Sequence, residues 1–475
     1  MTRQTIAIAG TTNAPKSCCA ARPSVARGWP GHGAVLAALL FVLAGCASHQ
    51  PKPLDPPAIL KELDAVRWPA SDSAATAIKP RDLASFAITT NPELSAVRAK
   101  LGIQQALLVE AGLFPDPQVG WDAMDVIASQ TVDGTSNSVD VLSGLGLMFP
   151  LPRPGELDGR VGAAEWRVEE VRKHVAAAEW TLTGAIYNAC EELRAAQLLQ
   201  SQTTALVAVA ESTYDYFKRA RDAGAATAIQ ANLALGELQV IRLDVVRTEG
   251  RVQQARQALN ALVGLPPATN VPLADAEDDP ALTAALKNTV AQLTERALEA
   301  RPDLQALLAR YEAAEQEIRV AVSKQFPKVS IGTGISLTLP FFSKFGGPAI
   351  QTAIAKRERV GREYRAGLYR ARQEIAATHA LWQLSEREVD LLTRELLPTA
   401  EQNLTLAKEA FRLGEATILE ALALQRSLVQ MRTRHTEARA ERSKRAWTLL
   451  AASGWLLPPA PEQTSDRSPS QREQR

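Results

Sequence analysis

The 475-residue sequence predicts a mainly α-helical protein with a β part suited to a membrane, assembled from one structural unit used twice. Three observations carry that expectation. Landmark residues recur at a constant spacing. A stretch of 66 residues, Glu156–Arg221, contains no proline and carries charges throughout. The residues just before it alternate between apolar and polar or small. Composition agrees: only 5% of residues are aromatic, beside long Ala/Leu/Glu/Arg runs, which favours extended helices over a thick globular core. With 53 basic and 52 acidic residues, no cationic excess is available to neutralise phosphates, which argues against a nucleic-acid partner. Four Met and five His argue against metal storage.

Residues 1–45 read as a signal peptide. Arg3, Lys16, Arg22 and Arg27 precede an apolar run from Ala34 to Leu43, too short to span a bilayer as a helix. A later start, such as Val25, would also fit. Leu43-Ala44-Gly45-Cys46 resembles the bacterial lipoprotein box, which implies thioether lipidation of Cys46 and cleavage before it. Ala47 in place of Asp then implies sorting to the outer membrane. Removing the 4 basic and 0 acidic residues of 1–45 leaves 49 basic against 52 acidic. Cys190 alone then remains unmodified, so no intramolecular disulfide is expected, and its expected place is that of a small apolar residue on a helix. No other apolar run reaches the roughly 18 residues of a spanning helix, so any further membrane crossing is expected to be β.

A linker (46–79) leads to two halves that can be laid over each other. Asn91-Pro92-Glu93-Leu94 and Arg301-Pro302-Asp303-Leu304 differ by 210, and Phe114-Pro115 and Phe326-Pro327 by 212. Thereafter Pro150/Pro340, Gly224/Gly414, Thr227/Thr417, Leu259/Leu449 and Gly264/Gly454 all differ by 190. Such regularity marks an internal duplication, with repeats at 80–265 and 281–457, a linker at 266–280 and a disordered tail at 458–475. Each unit is expected to run helix, strands, very long helix, tight turn, returning helix.

Between Pro117 and Phe149, Val139, Val141, Leu145, Leu147 and Phe149 alternate with polar or small residues, the period of a strand with one lipid face. Asp133-Gly134, within polar Ser129–Ser138, signals the turn. Glu156–Arg221 would form a helix of roughly 100 Å at ~1.5 Å per residue. After Gly224, Leu238, Ile241, Val245, Val252, Ala255, Leu259 and Leu262 form a coiled-coil seam. His435 and Arg442 interrupt the equivalent seam.

The duplication, the lipobox, the two helical hairpins and the paired Asn/Arg-Pro-Glu/Asp-Leu motifs together resemble the TolC-like outer-membrane efflux family, over nearly all of residues 80–457. The resemblance is nearest to its lipoprotein branch, which serves RND-type drug and heavy-metal pumps. It implies a homotrimer in which each chain gives four strands to one β-barrel and its helices to a periplasmic α-barrel. It further implies outer-membrane localisation, docking to a periplasmic adaptor (membrane fusion protein) and an inner-membrane RND-type transporter, no cofactor and no enzymatic activity. Ala223-Gly224-Ala225-Ala226-Thr227 and Leu413-Gly414-Glu415-Ala416-Thr417 look like the adaptor-docking tips, with glycine supplying positive φ and Thr227 or Thr417 capping the returning helix. Glu420 falls where the family carries an acidic residue of the periplasmic constriction; the second acidic position is Ala423 here.

The chain departs from that pattern in one place. The strand region spans 35 residues from Pro115 to Pro150 but only 13 from Pro327 to Pro340. Val329, Ile331, Thr333, Ile335, Leu337 and Leu339 alternate as a single strand would. A single crossing would put the following helix outside the cell, so the segment is expected not to cross. It would instead form a stunted hairpin or a non-spanning strand paired with Val139–Phe149, with Phe341 and Phe342 in an interfacial girdle. The four-strand contribution is thereby in doubt. Searches for chemistry return nothing: no P-loop, HExxH, CxxC or GxSxG pattern occurs, His174, His379 and His435 are isolated, Glu191-Glu192 point apart, and Gly332-x-Gly334 lacks the rest of a dinucleotide motif. The reading is an export conduit for drugs or metal ions in a tripartite system. The alternatives are a non-conducting scaffold lipoprotein of the same fold and a conduit for type I secretion; a periplasmic adaptor is a poorer match because no lipoyl-like domain is visible.

Overall fold

The computed structural model describes residues 49–68, 77–121, 145–274 and 280–456. The leader, Cys46, the Ser129–Ser138 connection with Val139 and Val141, and the tail from Pro458 lie outside the described residues. The chain divides into two units at Ile59/Leu60. Of the first unit, residues 49–59 are described; they lead into α1 (Pro56–Ala65), whose opening turn is held by Asp55, which accepts from the amides of Ala58 (3.4 Å, side chain) and Ile59 (3.1 Å, carbonyl).

The second unit contains one order of elements twice. First come α2 (Pro80–Thr90), α3 (Pro92–Ala111), β1 (Gln118–Trp121), β2 (Leu145–Pro150), α4 (Glu156–Asp222) and α5 (Ala228–Val263). After α6 (Pro280–Leu286) follow α7 (Val290–Ala300), α8 (Pro302–Ser323), β3 (Lys328–Gly332), β4 (Ile335–Thr338), α9 (Gly347–Leu391), α10 (Leu397–Leu413) and α11 (Ile418–Ala452). Proline opens α2, α3 and α8, where its missing N–H costs nothing. The proline-free stretch is a single 67-residue helix, as its composition dictates.

Equivalent positions build the two cores. Leu83, Ala87 and Leu259 sit in the first, with Ile186, Cys190 and Val263; Leu293, Ala297 and Leu449 sit in the second, with Ile375 and Ala452. The seam residues Leu238, Ile241, Val252, Ala255 and Leu259 are buried, and Val245 and Leu262 half-buried. Gly264 and Gly454, at φ 81° and 79°, end α5 and α11 where each chain passes close under the opposite helix entry. A Cβ on Gly264 would lie 3.1 Å from the Thr90 carbonyl oxygen, and one on Gly454 2.6 Å from the Ala300 Cβ. Asn91 caps α3 through the Leu94 amide (3.0 Å) and donates to the Leu262 carbonyl (2.8 Å). Arg301, at the matching entry, donates instead to the Ala452 carbonyl (3.1 Å) and to Glu374 (2.7 Å) and Asp303 (2.9 Å). Two different side chains thus tie down the same backbone junction.

The repeats are joined by α11 against α4: Lys444 pairs with Glu192 (2.8 Å) and the Tyr187 and Trp447 rings lie 4.3 Å apart. Glu191 turns away to Arg194 (2.5 Å). Cys190 is fully buried, and burial pushes its thiol up to about 12, so it behaves as an apolar core residue. His435 meets the Thr393 hydroxyl (3.1 Å), its pKa lowered by burial and by nearby Arg439. Between α9 and α10, Leu392–Leu396 form a π-turn just before Pro398. A proline without an amide proton, crowding the carbonyl four residues back, is accommodated by widening the helix there.

Candidate functional site

Four strands form one antiparallel sheet in the order β1-β2-β3-β4. Four strands are therefore present, where the shortened second strand region had put that number in doubt. Of the two forms expected for the run from Val329 to Leu339, a short hairpin and a single non-spanning strand, the structure has the first. It is a hairpin with Gly332-Thr333-Gly334 at its turn, pairing Ile331 with Ile335 and Val329 with Leu337. The paired residues Ile331 and Ile335 lie four apart in sequence, an even separation, so alternation continues across the three-residue turn and conceals the reversal. β3 pairs antiparallel with β2, Phe149 opposite Ile331. The close β2–β3 approach requires glycine: a Cβ on Gly332 would lie 1.7 Å from the Leu147 carbonyl oxygen.

Because partners across an antiparallel pair share a face, the register sorts the side chains. Val119, Leu147, Phe149, Val329, Ile331, Ile335 and Leu337 fall on one face; Gln118, Met148, Ser330, Ser336 and Thr338 fall with the glycines on the other. Of these seven, all but half-buried Val329 are exposed, and Phe341, Phe342 and Phe345 extend the exposed apolar surface beyond Pro340. Among the described residues no helix is long and apolar enough to cross a membrane. The outer edges of β1 and β4 have no strand partner among the described residues.

At the other end of the long helices the two turns are superposable in detail. Gly224 (φ 75°) and Gly414 (φ 78°) occupy the left-handed region, as the turn requires. Ala225 and Ala226 donate to the Ala220 carbonyl (2.7 and 3.1 Å), and Glu415 and Ala416 to the Ala410 carbonyl (2.8 and 3.2 Å). Thr227 and Gln230 form a reciprocal capping box, and Thr417 and Glu420 form another. The Glu420 carboxylate accepts from the Thr417 amide (2.7 Å) and hydroxyl (3.0 Å), which together hold its pKa below the usual carboxylate range. Glu420 is thus an exposed, ionised cap, its charge already committed to its own helix start.

The two tips lie together. The Phe217 and Phe411 rings are 6.2 Å apart, and Arg426 of the second hairpin pairs with Glu237 of the first. Each tip also exposes an aliphatic side chain two residues after its cap: Ile229 (72% exposed) and Leu419 (57%). Sequence reasoning missed this pair, although their offset of 190 could have found it. Nothing lies within 4 Å of a Cβ built on Gly224 or Gly414, so both turns face open space. No group of three or more metal-ligating side chains occurs among the described residues, and His174, His379 and His435 are not brought together.

With this geometry established, comparison with known proteins is informative. Residues 83–265 match the Outer membrane efflux protein family. The cobalt-zinc-cadmium resistance protein CzcC of Cupriavidus metallidurans is 24% identical over 366 residues, 74% of this chain and 84% of that protein. Outer membrane protein OprJ of Pseudomonas aeruginosa is 28% identical over 241 residues, 46% of this chain and 49% of that one. Among solved structures, the outer membrane protein VceC of Vibrio cholerae superposes with a TM-score of 0.64 at 20% identity, covering 79% of this chain and 96% of that one. At that identity the likeness shows the fold.

Proposed function

We propose that this chain, an outer membrane efflux protein by the family its residues 83–265 match and by its fold, is the exit conduit of a tripartite export system. The observation that carries this reading is the sheet, apolar on one face, polar or small on the other, and without a strand partner at either edge among the described residues. An isolated sheet of that kind is not stable in a bilayer, since unpaired edge groups there cost several kcal/mol each. Three copies meeting edge to edge would close a barrel and satisfy them. The helical hairpins then extend into the periplasm, with lipid on Cys46 as a second attachment to the membrane. The exposed tips at Gly224–Ile229 and Gly414–Leu419 are the docking surface for an adaptor, itself bound to an inner-membrane transporter. Cargo would be small solutes, and the name of the relative CzcC makes cobalt, zinc and cadmium the first ions to test.

The test is conductance of the purified protein in planar bilayers, together with susceptibility to these ions and to drugs in a deletion strain. Ion-conducting trimers and a sensitised strain are expected. A second reading, a non-conducting scaffold lipoprotein, draws on the shortness of β3 and β4, five and four residues where a full crossing needs ~9–11. Trimers without current, in a strain of unchanged susceptibility, would select it. The lipid claim is checked by Cys46→Ser: palmitate labelling should vanish while the helical content stays, and continued labelling would remove the claim.

A further inference from the structure

We infer that the helical wall beside the sheet carries a binding site for amphipathic organic anions, a reading that rests on the proposed conduit for its place in the flow path. The wall is a row: α3 packs on α4, α4 on α8, and α8 on α9. A cavity of about 540 Å³ is lined by residues of all four helices, from one end of the row to the other. A single cavity can touch both ends of such a row only on its concave side. In a closed assembly that side faces the lumen.

The lining has two parts. Its floor is aliphatic, with Leu107, Ala163, Val320 and Ala353 from the four helices in turn. Its rim holds Arg160, Lys324 and Lys356, none of which has an ion-pair partner among the described residues. Arg160 donates to the Glu110 backbone carbonyl (3.5 Å) and leaves that carboxylate apart. Two other arginines of these helices are paired: Arg167 with Glu317, and farther from the sheet Arg310 with Glu170 (2.7 Å) and Glu363 (3.5 Å). Counting Arg160, Arg167, Lys324 and Lys356 against Glu110 and Glu317, the cavity retains two net positive charges per chain. Unpaired cations above an aliphatic floor match a ligand with an anionic head and an apolar body, and the volume suits one of drug size. A metal cation would be repelled here, and a bare inorganic anion would leave the floor uncovered.

Binding to the full chain in lipid nanodiscs tests this, with empty discs as the blank. The probe is a dansylated short-chain alkyl sulfonate, and its partner is the trimethylammonium analogue with the same body. The sulfonate should bind saturably and more tightly at low salt, with about a tenfold or greater advantage over the cation. Arg160→Gln/Lys324→Gln/Lys356→Gln should lose that advantage, while Lys218→Gln/Lys408→Gln, which removes charge near the tips, should keep it. Equal affinity for the two probes, or a triple variant that still prefers the sulfonate, overturns the site. The same sulfonate should block bilayer current in the wild type and not in the triple variant. Rim-dependent binding in a protein that passes no current would sink the conduit and leave the site standing; current with no rim-dependent binding would do the reverse.

Discussion

The two repeats solve the same architectural problem with different residues, and the places where they diverge are more instructive than those where they agree. Both close a helix entry against the end of a returning helix, one with the amide of Asn91 and the other with the guanidinium of Arg301, at carbonyls 190 residues apart. Both turn at a left-handed glycine and restart with a capping box. They part in three places. The first repeat separates its strands by a long connection, whereas the second reverses within Gly332-Thr333-Gly334. The first descends in one uninterrupted helix, whereas the second is widened before Pro398. The first cap is neutral at Gln230, whereas the second is charged at Glu420. Duplication preserved the junctions that set the fold and left the spans between them free to vary.

The most severe test of the comparison is Gly332→Ala. Its Cβ would occupy the space of the Leu147 carbonyl, so β2 and β3 cannot stay paired, and the expected loss is at least about 3 kcal/mol. A large drop in the melting temperature of the detergent-solubilised protein would show it. Gly334→Ala, with nothing within 4 Å, is the tolerated control. Next, the proline can be exchanged between repeats. Ala208→Pro places a proline in α4 at the position equivalent to Pro398, and should cost about 3 kcal/mol because that helix has no widened turn. Pro398→Ala should change stability by less than about 1 kcal/mol while allowing a regular helix, seen as stronger hydrogen-exchange protection over 392–398.

A smaller effect is expected at the tips. Gly224→Val and Gly414→Val force a β-branched residue to positive φ, about 1–3 kcal/mol locally, without disturbing any neighbour. Secretion and folding should persist while crosslinking to the adaptor falls; undiminished crosslinking in both variants and in the double variant would reduce these turns to turns. The finest distinction is between the caps. The folded pKa of Glu420 lies below its ordinary value of 4.5, so its contribution is fully present above that value and is lost as pH falls through the lowered one. Amides 418–421 should therefore exchange progressively faster in acid than amides 228–231, after correction for intrinsic rates. Identical pH profiles at both tips would mean that the charge contributes nothing.

Much of this was legible in the sequence because it depends on local chemistry at fixed positions. Glycine at a forced φ, proline at a helix entry and leucine at a seam announce themselves, and their recurrence at 190 and 210 exposed the repeat. The hairpin in 329–339 was legible only as one of two forms, because Ile331 and Ile335 keep the two-residue period on both sides of the turn, as a single strand would. Gly332-x-Gly334, dismissed as a dinucleotide motif, was the available signal. Glu420 was given a role at a constriction, and the reciprocal cap, although written as Thr-x-x-Glu, was overlooked; the geometry shows its carboxylate bound to Thr417. The groove was illegible for another reason. Arg160, Lys324 and Lys356 are far apart in sequence and sit among many paired charges, so only packing reveals which of them remain unpaired.

The widened turn before Pro398 has a consequence at a distance. A π-turn absorbs one residue beyond what an α-helix would use, so everything after it is rotated by roughly 100° about the helix axis. The residue count from Pro340 to Gly414 equals that from Pro150 to Gly224, and past the widened turn Ala407 is buried where Phe217 is, so the two hairpins arrive at their tips in the same phase; deleting one residue of 392–396 would turn the second tip away from the first.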